Sequence, residues 1–333
     1  MIVITGGAGF IGSSIISELN RRKERDIIVV DERENRARKN LEGLIFSSYI
    51  DKDEFIKNLK SFNTSCIIHL GAISDTTCTD RNLLIKNNFE WTKTLARFSI
   101  ENNIRFIYAS SAATYGDGKN GFLDSEDNIK NLKPLNLYGY SKHLFDLWAL
   151  ENGLLDKIVG LKYFNVYGEG EYHKGHMRSK VLKGYYEIKE KGRVFLFKSY
   201  REEYKDGEQK RDFIYIKDAV FMTLFFLENP KINGIFNIAT GKARTWNCLA
   251  FALFRALGKK PSIEYIDMPS EIRENYQYWT EGPISKIRKS GYSKELTSLE
   301  DGVMDYVNLL EEKSGLKEIS IWRAKEYNVK SLL

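Results

Sequence analysis

The chain opens with Ile2-Val3-Ile4-Thr5 and runs straight into Gly6-Gly7-Ala8-Gly9-Phe10-Ile11-Gly12. Glycines 7, 9 and 12 satisfy G-x-G-x-x-G, and glycines 6, 9 and 12 satisfy the wider G-x-x-G-x-x-G. A loop of this kind between a strand and a helical pattern makes a tight turn. Its backbone lets a pyrophosphate come close to the free N–H groups of a helix start. Asp31 ends a second apolar run, nineteen residues after Gly12, where an acid can hold an adenosine ribose. A glycine-rich turn without a ligand is the plain alternative, and the position of Asp31 argues against it.

Short β-branched runs at 2–5, 26–31, 65–72 and 105–111 alternate with helical stretches at 10–22 and 80–103, followed by a helix at about 137–153 and a strand at 158–167. Continuous apolar strands separated by helices require a parallel sheet covered on both faces. The sequence therefore predicts an α/β chain: a Rossmann-type doubly wound parallel sheet with a smaller α+β substrate-binding domain. From Gly168 the alternation weakens and charged, aromatic-rich loops such as 199–211 appear, while 211–228 and 234–241 again read as helix and buried strand. We expect a dinucleotide-binding domain over 1–167, re-entered at about 212–241. The substrate domain takes 168–211 and 242–310, and 311–333 is a C-terminal extension whose only anchors are Ile319, Ile321 and Trp322. A length of 333 residues suits two such domains.

The charge balance, 51 Lys+Arg against 45 Asp+Glu, gives +6. That is too mild for a nucleic-acid binder and suits an anionic small molecule. No run approaches the roughly eighteen apolar residues of a membrane span. A strand directly after Met1 leaves no room for a signal peptide, so a cytoplasmic location is expected. Cys66, Cys78 and Cys248 are odd in number and far apart, which predicts reduced thiols. His69, His143, His173 and His176 fall in no metal-ligand spacing, so no metal site is expected.

Tyr138-Gly139-Tyr140-Ser141-Lys142 starts a helix, and the four-residue spacing puts Tyr138 and Lys142 on one face. A phenol titrating near 10 is a poor base at neutral pH. A neighbouring ammonium, together with a positive nicotinamide ring, favours the phenolate and brings the group into the range useful for proton transfer. Ser111, at the end of the preceding strand, is placed to hydrogen-bond a reacting oxygen. At the other end of the cofactor, Asp31-Glu32 favour a free ribose 2′-hydroxyl, whereas Arg33, Arg36, Arg38 and Lys39 suit a 2′-phosphate.

These residues resemble the extended short-chain dehydrogenase/reductase family, whose members carry TGGAGFIG, a strand ending in SS, and YxxxK. The likeness runs from Met1 to about Leu310. It is closer to the branch of epimerases that act at C6″ of an ADP-linked heptose, through Y-A-S-S-A-A-T-Y-G (108–116), P-L-N-L-Y-G-Y-S-K (134–142), K-Y-F-N-V-Y-G (162–168), H-K-G (173–175), R-D-F-I-Y-I-K-D (211–218) and Y-Q-Y-W-T (276–280). The resemblance implies bound NADP rather than NAD, a homo-oligomer, and catalysis by Tyr138, Lys174, Ser111 and Lys142. Cofactor contacts carried over are Gly6, Gly9, Phe10, Ile11, Gly12, Asp31, Glu32, Arg38, Lys52, Leu70, Gly71, Ala72, Ile73, Ser74, Asn87, Lys142, Val166 and Lys174. Substrate contacts carried over are Ser111, Asn165, His176, Lys183, Arg211 and Tyr276.

Inverting an unactivated carbinol carbon requires a hydride to leave to the cofactor and return to the other face. Reaching that face takes a second base or a turn of the substrate, and Lys174 stands where the family carries its second acid/base. On residues alone Lys174 is one more cation in a basic loop with Arg178, Lys180 and Lys183. Arg211 is apt for gripping a diphosphate, or else pairs with neighbouring Asp212. Enterobacterial members have Ser at 176, His at 183 and a shorter loop at 197–211. A 4,6-dehydratase is set aside because Ala112-Ala113-Thr114-Tyr115 replaces its Asp-Glu pair. A non-catalytic cofactor sensor would have no need for Ser111, Tyr138 and Lys142 together.

Overall fold

The computed structural model describes residues 1–273 and 276–330, with helix backbone alone for residues 271 and 315–330. The described strands are β1 (Ile2–Thr5), β2 (Ile27–Asp31), β3 (Ser48–Asp51), β4 (Cys66–His69), β5 (Arg105–Ser111), β6 (Val159–Tyr163), β7 (Asn165–Tyr167), β8 (Val194–Phe197), β9 (Lys210–Tyr215), β10 (Gly234–Ile238), β11 (Ala243–Thr245) and β12 (Ile263–Ile266). Seven of them form one parallel sheet in the order β3-β2-β1-β4-β5-β6-β10. The order reverses between β1 and β4, which opens a crevice beyond their carboxyl ends.

Period-two alternation sends successive strand residues to opposite faces, and each face has its own helices. Val3, Ile28, Val30, Ile67 and Phe106 pack with Leu95 and Phe145, from helices Trp91–Glu101 and Leu137–Glu151. Ile4, Val29, Ile68 and Ile107 pack with Ile15, Ile16 and Met222, from helices Phe10–Arg21 and Ile216–Glu228. This is the doubly wound sheet that the sequence predicts. The second core runs on without interruption into the remaining chain through Leu182, Leu249, Leu253 and Val303.

Two small sheets stand beyond the carboxyl ends: β7 parallel to β9, which also pairs antiparallel with β11, and β8 parallel to β12. The single strand expected at 158–167 is divided between sheets. At Phe164 the chain leaves β6, the Phe164 N–H bonds the Ile238 carbonyl, and β7 begins in the second sheet. The helix expected at 80–103 contains a π turn at Ile85–Glu90. The C-terminal extension continues a helix, Leu299–Lys330, that packs on the chain through Val303, Tyr306, Val307 and Leu310. The side chains of Ile319, Ile321 and Trp322 lie outside those described.

Candidate active site

Beyond β1 the backbone leaves no room for side chains. Gly6 has φ +66°, and a methyl group there would lie 2.6 Å from the Gly71 nitrogen; one at Gly12 would lie 2.4 Å from the Gly6 oxygen. Gly9 then heads helix Phe10–Arg21 with no side-chain cap, so its first N–H groups are free for an anion. This cradle opens into a cleft of about 870 Å³ lined by Gly6, Gly9, Phe10, Ile11 and Gly12. The space and the cradle fit a dinucleotide.

Asp31 stands at the cleft on the end of β2, but its carboxylate is largely engaged. It accepts the Ala8 N–H at 3.0 Å, the Glu32 N–H at 2.9 Å and the Asn35 amide at 2.6 Å. Burial pushes its carboxyl up, against those hydrogen bonds. Glu32 and Lys52 also line the cleft and pair at 2.8 Å, with Lys52 reaching Asn87 at 3.1 Å. Arg38 does not line it: its exposed guanidinium lies 4.6 Å from the centre of the Tyr49 ring.

After β4, residues Leu70 to Ser74 line the next stretch of wall. Asn88 fixes this segment, accepting the Ile73 N–H at 2.8 Å and donating to the Ile73 carbonyl at 2.9 Å, and it also donates to Ser141 Oγ at 2.9 Å. Ser141 in turn donates to the Tyr138 carbonyl at 2.7 Å, so one buried amide joins the cofactor wall to the catalytic helix. Nothing in the sequence singles out Asn88, because its position depends on the π turn.

Ser111, Tyr138 and Lys142 meet in the middle of the cleft. Asn136 caps helix Leu137–Glu151 by accepting the Gly139 N–H at 2.7 Å. Gly139 brings the helix start close to the end of β5, since a methyl group there would lie 2.8 Å from the Ala113 oxygen. Burial pushes the Tyr138 phenol up, with the Ser111 hydroxyl acting the other way. Lys142 is not among the groups that shift it. Lys142 is turned onto the Ala109 carbonyl at 2.8 Å, and burial brings its own amine down to about 8 while the Asp146 carboxylate pulls it up.

Asn165, Val166 and Lys174 complete this region. Lys174 sits in the turn Tyr172–Met177, its Nζ 5.4 Å from the Phe10 ring, and it forms no ion pair among the described residues. The loop is held by Glu171, fully buried, which accepts the Gly168 N–H at 3.2 Å and the Ser179 hydroxyl at 2.7 Å. Burial pushes the Lys174 amine down, with Glu171 pulling up and Lys183 pushing further down.

Phe195, Phe197, Phe213, Trp246, Ile266 and Tyr276 form an aromatic and apolar wall at the far end, where Lys183 also reaches the cleft. Tyr276 accepts a hydrogen bond from Trp246 Nε1 at 2.9 Å. Arg211, expected to contact the substrate, does not line the cleft: it is buried behind these rings, 4.9 Å from that of Tyr276 and 5.7 Å from that of Trp246. The alternative of an Arg211–Asp212 pair does not occur. Asp212 of β9 instead accepts the Thr240 N–H at 2.8 Å, the Gly241 N–H at 2.9 Å and the Gly282 N–H at 3.1 Å. His176 also departs from expectation: it is exposed, faces Asp75 at 3.4 Å and does not line the cleft. Lys180, which the sequence gives only as part of a basic loop, does line the cleft and pairs with Glu187 at 2.7 Å.

Comparison with known proteins extends this picture. The model of the NAD dependent epimerase/dehydratase family matches residues 2–239. The chain is 48% identical over 312 residues to an ADP-L-glycero-D-manno-heptose-6-epimerase of Nitratidesulfovibrio vulgaris, covering 92% of this chain and 97% of the relative. It is 47% identical over 325 residues to the protein of the same name in Fusobacterium nucleatum, with the same coverage. Among solved structures, the ADP-L-glycero-D-manno-heptose-6-epimerase of Helicobacter pylori superposes with a TM-score of 0.78 at 30% identity, over 93% of this chain and 96% of that one. With a family model matching well over half its length and relatives this similar along nearly all of it, the protein belongs to the NAD dependent epimerase/dehydratase family.

Proposed function

We propose that this protein interconverts ADP-D-glycero-β-D-manno-heptose and its L-glycero epimer by inverting C6″. The observation that carries the reading is the presence of both Tyr138 and Lys174 in the wall of one cleft with the dinucleotide cradle, with burial pushing the phenol up and the amine down. Environments that move two groups in opposite directions assign acid and base. The names of the relatives supply the sugar.

When bound, the nicotinamide supplies a reversible acceptor for the C6″ hydrogen. The rest falls to side chains. A neutral Lys174 takes the hydroxyl proton of one epimer as the carbonyl forms. The enclosed ketone turns over, and Tyr138 gives its proton to the oxygen as the other epimer forms. Solvent exchange then resets both groups, and the reverse direction exchanges their roles. Ser111 donates a hydrogen bond to the reacting oxygen, and Lys142 anchors the nicotinamide ribose. Residues 168–211 and 242–310 handle the nucleotide sugar.

The finer cofactor assignment is NADP. Three of the roughly four acceptor positions of Asp31 are already taken by protein donors, which leaves little for a ribose diol. Arg36 and Lys39 stand close to Asn35 and Ala37, which line the cleft, and suit a phosphate. Three free cysteines suit the reducing cytoplasm, and among the described residues no helix is long and apolar enough to cross a membrane.

Incubation of the purified protein with ADP-D-glycero-β-D-manno-heptose should give the L-glycero epimer, read by NMR, with no net change in cofactor. Stoichiometric consumption of reduced cofactor overturns the reading, since epimerisation is redox neutral. Arg211→Gln is expected to raise KM about tenfold with kcat nearly unchanged, because the guanidinium supports the Tyr276 and Trp246 rings that line the cleft. An unchanged KM would leave Arg211 without a bearing on the substrate wall.

A further inference from the structure

Behind the catalytic helix lies a buried ion pair that takes no part in the chemistry above. Asp146, one turn beyond Lys142 and fully buried, accepts the Tyr108 hydroxyl at 2.9 Å and the Ser110 hydroxyl at 2.7 Å, both from β5. It pairs with Lys162 of β6 at 2.6 Å. Lys162 is 1% exposed; its ammonium also donates to Thr114 Oγ1 at 2.7 Å and lies 5.0 Å from the Tyr115 ring. Ser110 and Lys162 are register partners across β5 and β6. With Lys142 on the Ala109 carbonyl, helix positions 142 and 146 grip Tyr108, Ala109 and Ser110, the three residues that lead into Ser111.

Stability alone is a poor reason for such a pair. Desolvating two charges offsets their attraction, and well-packed apolar residues often serve as well. An apolar plug would lack an electric field. Two titratable groups share an electrostatic interaction with Lys142, namely His69 from β4, kept neutral by burial, and Asp146 on its own helix, with Lys162 of β6 standing behind Asp146. Of these, Asp146 carries the negative charge, and it is the carboxylate that acts on Lys142.

We propose that Asp146 is a positioning residue for proton transfer: it holds the Tyr138–Lys142 face in register with Ser111 and supplies the counter-charge for the Lys142 ammonium, with Lys162 balancing its excess. The inference rests on the roles given above to Tyr138 and Lys142. Its first readout therefore needs no substrate: trace acetylation of the full chain with acetic anhydride at a series of pH values, with mass spectrometry reporting the titration of Lys142.

The double variant Asp146→Asn/Lys162→Met leaves no unpaired buried charge. In it Lys142 should titrate about one pH unit lower, a tenfold change in its protonation equilibrium. Lys162→Gln, which leaves the carboxylate unopposed, should move it upward, and if the double variant does not fold, this shift decides. In turnover, the double variant should lose about tenfold or more in kcat with little change in KM, and the high-pH limb of kcat should move down with Lys142. Lys162→Arg should restore wild-type behaviour. Shifts that are absent, or of the same sign in both variants, overturn the proposal and leave the pair a packing feature. A wild-type chain that does not epimerise the sugar would refute the functional reading while the labelling result still stands.

Discussion

Tyr138→Phe is expected to slow epimerisation by about 10²–10⁴-fold, the span typical for loss of a positioned proton donor, while the dinucleotide stays bound. The substitution removes one oxygen and keeps the ring, so the helix cap at Asn136 and the close approach at Gly139 are untouched. Burial holds the Tyr138 phenol above its ordinary range, so near neutrality it is protonated and ready to give a proton. The defect should fall on one half of the reaction. Single-turnover absorbance of reduced nicotinamide should still rise with the epimer whose hydroxyl proton goes to Lys174, and should fail to rise with the other. Loss of signal with both epimers would mean that Tyr138 serves both faces alone.

Lys174→Met should produce a comparable loss, with the complementary epimer failing. The amine sits against Phe10 without an ion-pair partner among the described residues, and burial pushes it down, toward the neutral form that can accept a proton. Methionine keeps the length and the contact with the ring and removes only the titrating group. The pair of variants is more informative than either alone: opposite epimer preferences identify two acid/base groups on opposite faces. Full activity in Lys174→Met would end the two-base proposal and return Lys174 to the basic loop.

Local spacing is what made most of this site legible. The glycine loop and Tyr138-x-x-x-Lys142 are one-dimensional patterns whose geometry follows from a strand end and a helix turn, and both lie in the cleft. Arg38 and His176 do not line the cleft, for the converse reason. They lie in irregular segments where sequence position does not fix side-chain direction, and a nearby ring or carboxylate captured each of them. Burial of Tyr138 opposes its phenolate, an effect that spacing does not report because it depends on the walls of the whole cleft. Asn88 required a π turn that apolar periodicity does not report. Lys162 did leave a signal, a lysine inside the apolar run IVGLKYF, which implies a buried counter-charge, though its partner on helix 137–151 becomes evident only in three dimensions.

The Asp212 carboxylate ties two sheets together: it belongs to β9 of the three-stranded sheet and accepts the Thr240 and Gly241 N–H groups just past the end of β10, in the seven-stranded sheet. A clasp there suppresses hinge opening during a catalytic cycle. In the proposed reaction the ketone would then turn over with the two sheets held together, and that confinement would keep a half-finished sugar from escaping and stranding the enzyme with its cofactor in the wrong oxidation state.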